Sequence, residues 1–170
     1  MNNTDFDRRI LSMKDRIFRL AKSMLGDRAE AEDAMQDILE KLWRQRNEIG
    51  GYSNVEAFVY TSTRNYCIDR IRSRNTRLEK AGSIAYESQR VSEISREIEA
   101  RDMKSAVAAI IATLPDRQQM VIHLRDIEEL GFDEISEATG MDETNVRVAL
   151  SRARKAVREQ LIKIMNHGIQ

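Results

Sequence analysis

The sequence predicts an all-α protein: two small helical domains joined by a flexible linker. Three observations lead there. Helix breakers are scarce, with one proline and seven glycines in 170 residues, while 33% of the chain is charged. Apolar residues recur three or four positions apart through stretch after stretch, as in helices that bury one stripe. Between about Asn75 and Arg101 that recurrence fades into NTRLEKAGSIAYESQRVSEISREIEAR, a polar run of mixed charge. The domains are therefore expected at residues 5–75 and 102–166, with the linker at 76–101.

The first helix is expected from Phe6 to Met24, with Phe6, Ile10, Met13, Ile17, Leu20 and Met24 as its apolar stripe. Gly26 ends it, and Asp27 with Glu30 forms a capping box for the next. That second helix, Arg28 to Arg46, turns Ala31, Met35, Ile38 and Leu42 inward. Its opposite face carries Glu32, Asp33, Gln36, Asp37 and Glu40, with Trp43 at the edge. A loop, IGGYSN from Ile49 to Asn54, leads to a third helix over Val55 to Arg74. Phe58, Val59, Ser62, Tyr66 and Ile68 to Ile71 are its packing positions, and Arg64, Arg70, Arg72 and Arg74 its charge. The linker is expected to turn partly helical over Val91 to Arg101.

In the second half, Met103, Val107, Ile110, Ile111 and Leu114 form one apolar face, closed by Pro115. Asp116, with Gln119 three residues on, is positioned to cap the next helix, where Met120, Val121, Leu124 and Ile127 pack. Asp133 is read as the cap of a short helix containing Ile135 and Ala138. Gly140 breaks that helix with a turn that favours positive φ. Asp142 caps the last helix, whose buried stripe is Val146, Leu150, Ala153 and Val157. Two helices joined by a short glycine-containing turn, the second strongly basic, form the pattern of a DNA-reading helix-turn-helix.

Composition excludes several classes. No apolar run approaches the roughly 18 residues of a membrane span, and MNNTDFDRR is no secretory leader, so a soluble cytoplasmic protein is expected. The single cysteine, Cys67, has no disulfide partner and reads as a small packing residue. With only His123 and His167, no phosphate-binding glycine loop and no paired ligand spacing, neither an enzyme nor a metal or cofactor site is expected.

The formal net charge of zero conceals a sorting along the chain. Residues 1–50 carry ten basic and ten acidic side chains, 51–80 six and three, 102–142 three and nine, and 143–170 six and two. Two separated basic segments on a neutral body suit DNA contact at two chosen surfaces rather than general adhesion to polyanions. The acidic face of the second helix, bordered by a tryptophan, suits a protein partner, although a solvated charged face has the same composition. Aromatic residues among arginines beside the IGGYSN loop are the components that hold unstacked single-stranded bases. An amphipathic helix with its arginines in water is the plainer reading.

Together, AEDAMQDILEKLWR at Ala31 to Arg44, TRNYCIDRIR at Thr63 to Arg72, and the run from LPDRQQM at Leu114 to RARKAV ending at Val157 resemble the successive signatures of the extracytoplasmic-function (ECF) sigma factors of bacterial RNA polymerase. The resemblance spans nearly the whole chain in order. It implies that the first domain is sigma region 2, with Asp33, Gln36, Asp37, Glu40, Trp43 and Arg44 on the helix that docks the β′ clamp helices of core RNA polymerase. It places Tyr52, Ser53, Asn54, Arg64, Asn65, Arg70 and Arg72 at minus-ten promoter DNA, where a base is flipped out and captured at a cost of a few kcal/mol. Ser62 and Thr63 stand where relatives often carry small apolar residues.

The second domain becomes sigma region 4, which contacts the β flap and reads the minus-thirty-five element. Its DNA-facing residues are Thr144, Asn145, Arg147, Val148, Ser151, Arg152, Arg154 and Lys155. Arg147, Val148 and Ser151 are assigned to base edges, and Arg152, Arg154 and Lys155 mainly to the backbone. Val148 and Ala149 replace positions that are often polar or basic in relatives. The resemblance further implies an anti-sigma factor as partner and no small-molecule substrate. The alternative is a dimeric helix-turn-helix transcriptional regulator, which explains the last signature but not the first two.

Overall fold

The computed structural model describes residues 3–80 and 103–167, and among these there are nine α-helices, one π-helical turn and no strand. The expected first helix is two, α1 (Asn3–Ser12) and α2 (Lys14–Leu25). At Met13 the backbone N–H reaches Ile10 O, three residues back, at 3.0 Å, a tightened turn that breaks the helix. The apolar stripe survives the break: Phe6, Ile10, Met13, Ile17, Leu20 and Met24 are all buried. Gly26 ends α2 at φ 75, a conformation that costs glycine little.

α3 (Arg28–Arg44) is capped by Asp27, whose side chain accepts the Glu30 N–H at 2.8 Å. The reciprocal arm of the capping box does not form, because the Glu30 carboxylate pairs with Arg74 instead. A guanidinium is a stronger partner for it than a backbone amide. α3 stops two residues early, and the single turn α4 (Arg46–Ile49) carries the chain into the loop.

α5 (Val55–Lys80) continues six residues past its expected end, into the stretch read as linker. Asn75 to Lys80 contains no glycine or proline, and extending an existing helix is far cheaper than nucleating one. Its buried positions also differ: Val55, Ala57, Val59, Tyr60, Thr63, Cys67 and Ile68 are inside, Phe58, Ser62, Tyr66 and Ile71 are half-buried, and Asp69 is exposed. The helix packs on α2, α3 and a helix of the second half, so burial wraps around it. The buried Thr63 hydroxyl is satisfied by Val59 O at 2.8 Å. The partly helical segment expected at residues 91–101 lies outside the described residues.

In α6 (Met103–Ala112) the buried face is Ala106, Ile110 and Ile111, while Met103 at its start is exposed rather than packed. α7 (Asp116–Ile122) has Pro115, not Asp116, as its cap residue, and no side chain caps it. Gln119 is instead buried, with its amide donating to Ser23 O at 2.6 Å. α7 runs into a π-turn, His123–Ile127, closed by Glu128 N–H to His123 O at 3.0 Å. The wider turn shifts the register, so Ile127, expected to pack, is exposed.

α8 (Phe132–Thr139) is capped by Gly131, whose N–H donates to the Glu134 carboxylate at 2.7 Å. Asp133, the expected cap, lies inside the helix. Gly140 has φ 71, as the turn requires. α9 (Glu143–His167) begins at Asp142, which accepts the Asn145 N–H at 2.8 Å, and it buries Val146, Ala149, Leu150, Ala153 and Val157. Asp142→Ala should lower stability by about 1 kcal/mol and the melting temperature by about 2–4 °C, with Asp142→Asn close to wild type in the same thermal melt.

The two halves pack directly on each other. α2 lies against α3 and α5 in its own half and against α6 and α7 in the other, while α5 meets α8. Their apolar side chains form one continuous cluster. A polar set is built into the seam. Arg19 on α2 donates to both Glu128 carboxylate oxygens, at 2.8 and 3.0 Å, and the Glu128 side chain is only 2% exposed. His123 Nδ1 is 2.7 Å from Ser23 Oγ, with Nε2 3.3 Å from Glu128 Oε1.

Candidate functional site

Three surfaces carry the sequence-predicted residues. On α3, burial of Ala31, Ala34, Met35, Ile38 and Leu42 leaves Asp33, Gln36, Asp37, Glu40, Trp43 and Arg44 exposed on the other side. Trp43 is 50% exposed, and the Arg46 guanidinium lies 4.8 Å from its ring centroid while donating to Trp43 O at 2.9 Å. Arg44 pairs with Glu40, and Asp37, Glu40, Lys41, Arg44 and Gln45 line an open depression. The result is an acidic face with a large apolar ring held at its margin, features suited to a basic protein partner.

Asp37 accepts a hydrogen bond from Tyr66 Oη of α5, and Arg70 lies 3.4 Å from that same oxygen and 3.9 Å from Asp33. Burial raises the Tyr66 pKa, and the Asp37 carboxylate raises it further, so the phenol stays a donor at neutral pH. Neither Arg46 nor Tyr66 is marked by the sequence pattern as a partner of this face, and a half-buried tyrosine within a helix has no distinguishing spacing.

The loop and α5 form the second surface, and its predicted residues do not all converge. Tyr52 is exposed and packs edge-on against Phe58, with ring centroids 5.1 Å apart at 68°. Phe58, Asn65 and Arg72 are seven residues apart and so share a face of α5, on which Asn65 and Arg72 are exposed. Ser53 is exposed beside Tyr52, and Arg64 donates to Asn65 at 3.2 Å. Arg70 turns away toward α3. Asn54 is a structural cap: its side-chain oxygen accepts the Ala57 N–H at 2.9 Å, and its amide donates to Glu137 of α8 at 2.7 Å. Cys67 beneath this surface is buried, with its thiol pushed up to about 12 by that burial, and is chemically inert at neutral pH.

The third surface is the outer face of α9, where Thr144, Asn145, Arg147, Val148, Ser151, Arg152, Arg154 and Lys155 are all exposed. Val148 offers an apolar contact at 41% exposure. Arg154 is engaged by Asp126, with Nε at 3.0 Å and Nη2 at 2.6 Å, and Lys155 lies 3.9 Å from Glu159. Arg147 lies 3.9 Å from Glu143 and stacks on the Phe132 ring, its guanidinium carbon 4.0 Å from the centroid. Phe132 is a partner that the helical pattern did not expose, because only the fold brings the start of α8 beneath α9. Among the described residues no cluster of His, Cys, Asp and Glu is placed to hold a metal, and no helix is long and apolar enough to cross a membrane.

Residues 10–77 match the family Sigma-70 region 2, and residues 104–157 match Sigma-70, region 4. The chain is 29% identical over 157 residues to the ECF RNA polymerase sigma factor SigW of Bacillus subtilis, covering 87% of this chain and 84% of that relative. It is 26% identical over 162 residues to the ECF RNA polymerase sigma factor SigE of Mycolicibacterium smegmatis, covering 93% of this chain and 62% of the relative. Among solved structures it is similar in fold to the sigma factor RpoE in complex with the anti-sigma factor NepR from Bartonella quintana. There the TM-score is 0.70 at 19% identity, over 92% of this chain and 96% of that one.

Proposed function

Because the chain belongs to the extracytoplasmic-function type of the sigma-70 family of RNA polymerase sigma factors, we propose that its three surfaces divide the work of promoter-specific initiation. A member of this family binds core RNA polymerase and directs it to promoters by recognising minus-thirty-five and minus-ten DNA. It is a DNA-binding initiation factor. In this reading Asp33, Gln36, Asp37, Glu40, Trp43 and Arg44 dock the β′ clamp helices. Tyr52, Ser53, Arg64, Asn65 and Arg72 meet the melted minus-ten strand, with Asn54 shaping the loop as a helix cap and Arg70 turned from it toward Asp33 and Tyr66. The outer face of α9 enters the major groove at minus-thirty-five, and the rest of the second domain, residues 102–166, rests on the β flap.

The observation that carries this reading is the orientation of α9. Its apolar stripe is buried behind the Gly140 turn, and every residue assigned to DNA faces out. An exposed arginine in that position reads a guanine through two hydrogen bonds, which discriminates by about 1–3 kcal/mol. Melting then draws on binding energy, since stacking the flipped base on an aromatic such as Tyr52 returns about 1–3 kcal/mol. The protein acts in the cytoplasm, where the polymerase is. An anti-sigma factor is proposed as its regulator, and a pull-down that yields only polymerase under all growth conditions would count against that partner.

The test is run-off transcription by core RNA polymerase with the purified protein on a panel of promoter fragments. Discrete start sites are expected, and Arg147→Ala should lower initiation about 5- to 150-fold while leaving core binding intact. A protein that binds duplex DNA tightly alone and never associates with core enzyme would overturn the reading in favour of a dimeric regulator.

A further inference from the structure

Phe132 lies at the start of α8, half-buried against the core, with two guanidinium groups on its ring. Arg147 of α9 lies 4.0 Å from the centroid and Arg125 lies 4.6 Å from it. Arg125 is itself anchored, donating to Leu130 O at 2.9 Å. Arg147 is the more exposed of the two, its side chain 59% accessible, and its other near partner is the equally exposed Glu143 at 3.9 Å.

We propose that Phe132 is a positioning residue for promoter reading: its ring holds the Arg147 guanidinium ready to meet a base edge in the major groove. This rests on the reading of Arg147 as a base-contacting residue. A long arginine side chain free in water loses rotamer freedom when it binds, and that loss weakens the contact it makes. A guanidinium already resting on an aromatic face has lost part of that freedom before DNA arrives, while its N–H edge remains available for in-plane hydrogen bonds. Leucine keeps the apolar volume at this position without the ring's electrostatic attraction, and tyrosine keeps the ring.

The experiment uses holoenzyme reconstituted from core RNA polymerase and the full chain. The probe is a DNA library whose minus-thirty-five segment is a randomised duplex and whose minus-ten segment is one fixed, pre-melted sequence. Bound and unbound pools are sequenced, and base preference is extracted position by position. Arg147→Ala is expected to flatten preference at the base pair that Arg147 reads. Phe132→Leu should lower preference at that same pair by about 2- to 5-fold, the exposed cation–π range, and leave the other pairs unchanged. Phe132→Tyr should restore it, and the Phe132→Leu, Arg147→Ala double variant should match Arg147→Ala alone.

Preference untouched by Phe132→Leu at the Arg147 pair, or lowered equally at every pair, would overturn the positioning role and leave Phe132 as packing. If Arg147→Ala flattened no pair, the base-reading assignment itself would fall, and the positioning role with it.

Discussion

Asp37→Arg is expected to lower affinity for core RNA polymerase about 30- to 1,000-fold, equivalent to the ~2–4 kcal/mol of a central interface residue. The substitution reverses a charge in the middle of the α3 acidic face, within the depression that Glu40 and Arg44 also line. A like charge facing a basic partner is repelled, and the desolvation of the arginine is then unrepaid. Asp37 also accepts the Tyr66 hydroxyl, so two controls separate docking from local structure. Tyr66→Phe removes that hydrogen bond and keeps the carboxylate, and should bind core enzyme nearly as wild type. Asp37→Asn keeps an acceptor and removes the charge, and should fall between wild type and Asp37→Arg. Titration of fluorescently labelled protein with core enzyme measures all four. Equal affinities for wild type and Asp37→Arg would remove α3 as the docking helix.

The second large effect concerns the seam. Glu128→Ala is expected to destabilise the packing of the two halves by about 1.5–3 kcal/mol, because it removes the buried carboxylate that accepts both Arg19 hydrogen bonds. Four titratable or charged groups face that carboxylate: Arg19 at 2.8 Å and Arg16 at 3.8 Å from α2, His123 at 3.3 Å from the π-turn, and Tyr60 from α5, whose own pKa is raised by burial and then by the Glu128 charge. Burial alone would raise the Glu128 pKa, but the His123 ring and Arg19 guanidinium outweigh it and hold the carboxyl at about 2, against an ordinary 4.5.

A folded-state pKa below the unfolded one stabilises fully at neutral pH, and that contribution disappears as pH falls from about 4.5 toward 2. It amounts to about 3 kcal/mol at 1.36 kcal/mol per pKa unit. Glu128→Gln should therefore show a flatter stability profile over that acid window than wild type in urea melts. Small-angle scattering should show Glu128→Ala with a larger radius of gyration at neutral pH. Identical acid profiles for wild type and Glu128→Gln would remove the seam carboxylate as a source of stability.

Much of the fold was legible because helix signals are local. The stripe on α9, the Asp142 cap, the positive φ at Gly140 and the outward placement of the α3 acidic face each follow from residues within a few positions of one another. The misreadings share a cause. Asp116 and Asp133 had the chemistry of caps, but Pro115 and Gly131 occupy those positions, and Gln119 was drawn into a hydrogen bond with Ser23 on a helix 96 residues away. Ile127 lost its place in the core to a π-turn that no single residue announces. Asn54, placed by the resemblance in the minus-ten loop, also has a structural role that its sequence position does not announce, with its amide bonded to both α5 and α8.

By itself, then, the sequence determined the helical class, the division into two regions, the order of their signatures and the identity of the residues on each exposed face, because periodicity and capping act over one or two helical turns. Tertiary structure decided the partners: Tyr66 with Asp37, Phe132 beneath Arg147, and Arg19 and His123 around Glu128. Apart from His123 and Glu128, five positions apart and brought together by the π-turn, those pairs join residues 15 to 109 positions apart, and charge and hydrogen bonding between such groups depend on separation in space, which no local pattern encodes.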